Sequence, residues 1–176
     1  MSASVILLHN ANEAIEMLSH LHASAQHTRD WIVANSDDPL LLLRALKFEE
    51  VGLHPVENRP LNVIEQLNQT FTYAVAFAAA SQLFNLHPDL AGLKIAPGAH
   101  MALPLDIMSI EEGLIGAETF AAVDYRNNRK LTRDLDVMAL RNEQHRYVFF
   151  ASPTFPTTER QIKLERHGVQ VWSVEI

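Results

Sequence analysis

The chain has 176 residues, a formal net charge of -7 with histidines neutral, and no cysteine. That length holds one domain with a sizeable core. The mild acidity argues against a dedicated nucleic-acid coat while leaving room for a local basic groove, and the lack of cysteine excludes disulfides and thiolate metal sites.

The opening stretch, MSASVILLHN, has no basic segment and an apolar run of only four residues, so it does not read as a secretory signal. Asn12 to Asn35 then carries Ile15, Leu18, Leu21, Trp31 and Ile32 at helical spacing. Asp37 or Asp38 caps a second helix with Pro39 at its start, running towards Gly52. A loop from His54 to Arg59 follows, and Pro60 opens the main helix, Leu61 to about Leu86. Its second half, AVAFAAA, has small residues on every side, which suits a helix packed closely against a sheet. Gln66, Asn68 and Gln69 add polarity near Glu65, either around a site or as simple solvation of the first turns. The longest apolar helical stretch, Tyr73 to Ala80, is far too short to span a bilayer. The expectation is a cytoplasmic protein with no membrane partner.

Gly92 to Ile95 reads as a strand and Pro97-Gly98 as a turn. Leu105 to Ile110 and Leu114 to Val123 read as two strands of a hairpin. Asn127-Asn128 leads into a polar helix from about Leu131 to Arg141, Tyr147 to Ala151 is an apolar strand, and Val169 to Val174 is the last one. Between those two strands, Thr158 with Gln161 reads as a capping box for a short helix ending at Gly168. Strand, helix, strand in that order favours a parallel right-handed crossover.

The hairpin carries the chemistry. Glu111-Glu112-Gly113 is a three-residue loop with glycine at the position that needs a left-handed backbone. If Ile110 pairs with Leu114, Asp106 lies opposite Glu118 on one face, with Cβ atoms about 4.5–5.5 Å apart. Two like charges at that distance require a shared proton or a cation between them. A loop one residue shorter would send them to opposite faces. The purely structural alternative is that Asp106 caps a strand end and Glu118 pairs with an arginine.

Elsewhere, six of the fourteen basic residues fall between Arg126 and Arg146, against three acids there. That segment is either a phosphate-contacting surface or a solvated helix face. His20, His22 and His27 cluster, but a seven-residue spacing leaves a long gap for one metal ion. No glycine-rich phosphate loop, nucleophile elbow or zinc-finger spacing is present.

This order of elements, with an acid on the second strand and another on the third, resembles the PD-(D/E)XK nuclease superfamily over residues 60–176. Pro104-Leu105-Asp106 resembles its first motif with one residue inserted, and Glu118-Thr119-Phe120 resembles its (D/E)-x-K motif with phenylalanine in place of lysine. The resemblance implies an α/β protein with a restriction-endonuclease-like mixed central sheet flanked by helices. Residues 1–59 would form a helical amino-terminal extension of a single domain.

The resemblance also implies a site. Asp106 and Glu118 would ligate Mg²⁺, with Mn²⁺ as a substitute, and Glu65 would be an additional ligand. Lys130, preferred over Lys94, would replace the missing catalytic lysine. The implied activity is hydrolysis of phosphodiester bonds in nucleic acid. Phe120 and the acidic net charge point to an alternative, a non-catalytic module of the same fold. It would act through a protein partner, in a regulatory or immunity-type role, or as a homodimer through residues 1–59.

Overall fold

The computed structural model describes residues 5–35, 37–98 and 102–176. The helices form largely where their caps place them. Asn10 caps α1 (Ala11–Ala34) by accepting from the Glu13 N–H at 3.0 Å, and Asp38 caps α2 (Pro39–Phe48) through the N–H groups of Leu40 and Leu41. Pro60 does not open the main helix. It lies in a two-residue strand, and Asn62 caps α3 (Val63–Leu86) instead, through the N–H of Glu65.

The sheet is built from β1 (Ile6–Leu8), β4 (Leu93–Ile95), β5 (Ile107–Ser109), β6 (Ile115–Ala121), β7 (His145–Ala151), β9 (Gln170–Ser173) and β8 (Glu159–Arg160), in that spatial order. A separate ribbon pairs β2 (Gly52–Leu53) with β3 (Pro60–Leu61). In the main sheet β1, β4, β5 and β6 run antiparallel in succession, β7 and β9 run parallel to β6, and β8 closes the edge antiparallel to β9. The helix between β6 and β7 is α4 (Lys130–Ala139). The protein is therefore α/β, with a mixed seven-stranded sheet flanked by helices.

Strand alternation separates two cores. Ile115, Ala117, Tyr147 and Phe149 face α3 and α1, whereas Phe120, Val148, Phe150 and Val171 face Leu131, Leu135 and Met138 of α4. Helix α3 packs against α1 on one side and against the sheet on the other. Ala74, Ala76, Ala79 and Ala80 are buried between them, which explains small residues on every face. Gln66 is not solvated: it is buried, donating to Ser24 O at 3.0 Å and accepting from Thr28 Oγ1 and from the Leu53 N–H. It ties α1, α3 and β2 together.

Two further expectations are corrected. Residues 1–59 are not a helical appendage, because β1 extends the sheet beside β4 and Leu8, Ala14 and Leu21 belong to the main core. The helix expected from Thr158 to Gly168 is only a 3-10 turn at Ile162–Leu164 preceded by β8. The capping residues are used differently: Thr158 Oγ1 accepts from the Glu175 N–H, and Gln161 Nε2 donates to Ser173 Oγ. Among the described residues no helix is long and apolar enough to cross a membrane.

Candidate active site

The hairpin register is the one that brings the acids together. Ile107 pairs with Ala117 and Met108 with Gly116, so the next pair outward is Asp106 and Glu118. Gly113 adopts φ +76° in the loop, and Ser109 Oγ locks the turn by accepting from the Ile115 N–H at 2.9 Å. Asp106 is buried just before β5. Its Oδ2 accepts from the Thr119 N–H at 2.8 Å and from Thr119 Oγ1 at 2.9 Å, and its Oδ1 accepts from the Gly98 N–H at 3.2 Å.

Glu118 projects from the middle of β6 on the α4 side. Burial, then the negative charge of Asp106, then that of Asp134 push its carboxyl up to about 8, while the Lys130 ammonium opposes them. Asp134 was not singled out from the sequence. It comes from α4, one turn after Lys130, and only 6% of its side chain is exposed against 39% for Lys130. Lys130 Nζ donates to Asp134 Oδ1 at 2.7 Å, and Asp134 Oδ2 is buried with no hydrogen-bond partner among the described residues. Burial raises the Asp134 carboxyl above the usual range, and the Lys130 pairing only partly offsets this. The available sequence signal was Lys130-x-x-x-Asp134 beginning a helix that follows an acid-bearing strand. Only the docking of α4 distinguishes that spacing from an ordinary surface ion pair.

Three carboxylates and one lysine thus meet between β6 and α4. Gly116, two residues before Glu118, leaves space for the buried Glu143 carboxylate, which Arg141 binds at 2.7 Å. Phe120, two residues after Glu118 on the same face of β6, stacks on Phe150 with ring centroids 5.7 Å apart. Lys94 lies on β4, paired with Met108 of β5. Glu65 is not brought to the cluster either. It is exposed in the first turn of α3, the helix that packs on the opposite face of the sheet.

Among the described residues no three His, Asp or Glu side chains stand ready to enclose a metal ion. The donor set still fits a hard cation that keeps several waters and needs only one or two carboxylates. Among the described residues Asp106 Oδ1 has a single donor and Asp134 Oδ2 has none, and Glu118 carries excess negative surroundings that a cation would relieve.

The expected basic surface from Arg126 to Arg146 is largely consumed internally. Arg126 pairs with Asp124 and Arg141 with Glu143, whereas Arg133 and Arg146 donate to backbone carbonyls. A cleft of about 810 Å³ lies away from the acids. It sits between α3 and the carboxyl ends of β6, β7 and β9, and Leu67, Phe71, Val123, Phe155 and Ile176 make its lining mainly apolar. No family model matches this chain, and no curated protein or solved structure matches it either.

Proposed function

We propose that this protein is a divalent-cation-dependent phosphodiesterase of the PD-(D/E)XK type, cleaving nucleic-acid strands at the Asp106, Glu118 and Asp134 cluster. The observation that carries this reading is the convergence of those three acids with Lys130 between β6 and α4. The succession α3, three antiparallel strands, α4 and a parallel strand supports it as well. Asp106 and Glu118 would hold Mg²⁺, with Mn²⁺ as substitute. Such a cation supplies an activated water and stabilises charge on phosphate oxygens.

The chain's own groups have separable tasks. Thr119 and the Gly98 N–H fix the Asp106 carboxylate in one orientation. Asp134 holds the Lys130 ammonium at the site, and Lys130 is exposed enough to reach a phosphate or the attacking water. Its positive charge offsets the negative charge that develops in the transition state.

Calorimetry with MgCl₂ and MnCl₂, together with cleavage assays on single- and double-stranded DNA and RNA, tests this. Asp106→Asn is expected to abolish both metal binding and cleavage. Lys130→Met is expected to keep metal binding and to lose about 10²-fold or more in cleavage rate. A wild-type protein that binds neither ion, or cleavage unchanged in Asp106→Asn, would remove the assignment.

A second reading has its own observation. Helix α2 exposes Leu40, Leu41, Leu43 and Phe48 and buries only Ala45. The same short helix and the residues after it carry Arg44, Lys47, Glu49 and Glu50, so an antiparallel second copy would meet opposite charges. In this reading the protein is a non-catalytic module that works as a homodimer. Light scattering of wild type against Leu41→Glu with Phe48→Glu decides it, because only a dimer through α2 would dissociate.

A further inference from the structure

A second concavity, of about 280 Å³, lies on the α4 side of the sheet, between the start of α4 and the segment that leads into β9. Its floor is apolar: Leu131, Leu135 and Leu164. Its rim is basic, with Arg126, Arg129, Lys163 and Arg166, and no acidic residue lines it. In a chain of net charge -7 that is a local inversion of sign.

Arg126 is already committed to Asp124, which it contacts through Nε and Nη2. Arg129, Lys163 and Arg166 form no ion pair among the described residues. They come from two segments far apart in sequence, so only the fold brings them round one cavity. Arg129 occupies the N-cap position of α4 and offers no capping side chain, and Leu131 and Thr132 of the first turn line the same cavity. Positive charges around a concave, low-dielectric floor focus their field on its mouth.

From this placement we infer that the cavity is a binding site for a phosphomonoester, either inorganic phosphate or the phosphate of a small sugar phosphate or mononucleotide. A compact dianion satisfies three cations at once, and arginine guanidinium groups match phosphate oxygens in bidentate geometry. The volume is at the small end of the range for ligand pockets, about 300 Å³, which suits a phosphate with an attached sugar and not a duplex. This site does not depend on the acid cluster. Lys130 and Asp134 face Glu118, whereas Leu131 and Leu135 line the cavity around the same helix.

The test is calorimetric titration of the full chain with inorganic phosphate, adenosine 5′-monophosphate, adenosine and a long polyadenylate, on wild type and on a triple variant Arg129→Gln, Lys163→Gln, Arg166→Gln. All three residues are exposed, so circular dichroism should show the variant folded. Saturable phosphate binding that weakens at least tenfold in the triple variant, with adenosine inert, supports the site. Binding of the monophosphate more tightly than phosphate supports a sugar-phosphate ligand, and equal affinities support free phosphate. No saturable binding by wild type, or affinity unchanged in the triple variant, overturns the inference. Binding only of a long polynucleotide, lost in the triple variant, would overturn it too and assign the cations to a nucleic-acid backbone.

Discussion

Glu118 is where a single side chain sets a measurable property. An ordinary glutamate titrates near 4.5, and this one is held near 8 by burial and by Asp106 and Asp134. The native state therefore keeps a proton that the unfolded chain has already released, and the stability of the metal-free protein falls as pH rises between about 5 and 8. Glu118→Gln removes that titration. Its melting temperature should equal that of wild type near pH 5 and exceed it increasingly towards pH 8, in buffer with a chelator. A constant offset between the two proteins across that range would show that Glu118 is not titrating as described. Gly116 makes an independent case. A Cβ there would stand 2.6 Å from Leu105 Cδ1, which is fully buried, and 3.1 Å from Glu143 Cγ. Gly116→Ala is expected to cost about 1–3 kcal/mol by overpacking, read from denaturant midpoints.

At the scale of elements, the first part of the chain is integral to the sheet and core. A protein starting at Glu57 would lose β1 from the sheet edge and Leu8, Ala14 and Leu21 from the core, and would expose the flank of α3 that packs on α1. It is expected to unfold without cooperativity or to aggregate, as seen by circular dichroism melting and light scattering. A cooperative melt like that of the full chain would mean that residues 60–176 suffice. Gln66→Ala addresses the same junction more gently. It leaves the Leu53 N–H, Ser24 O and Thr28 Oγ1 short of a partner, with an expected loss of about 1–3 kcal/mol.

For the whole molecule, both cores meet at β6 and β7. Tyr147, Val148, Phe149 and Phe150 are almost wholly buried and alternate between the two layers. Native-state hydrogen exchange should therefore be slowest on β6 and β7, and α2, with most of its apolar side chains exposed, should exchange far sooner. Equal protection of α2 at high protein concentration would indicate that this surface is covered in solution.

Local chemistry was legible in the sequence wherever a few neighbouring residues decide an outcome. An Asp cap placed the start of the second helix, and the Glu111-Glu112-Gly113 loop set a hairpin register that brings Asp106 opposite Glu118. A turn of given length leaves only one parity for the strands that follow it. Tertiary structure decided what depends on distant partners. A three-residue β1 carries too little pattern to announce its pairing with β4. Thr158 and Gln161 met the local rule for a helix start, but their side chains bond to Glu175 and Ser173 around the last strand instead. Asp134 was one acid among several until α4 docked with that side chain turned towards Glu118, and Arg129 gained Lys163 and Arg166 as neighbours only through the same docking. Capping and turn geometry are settled by backbone atoms a few residues apart, whereas the electrostatics of a buried site depend on which helix face meets which strand face.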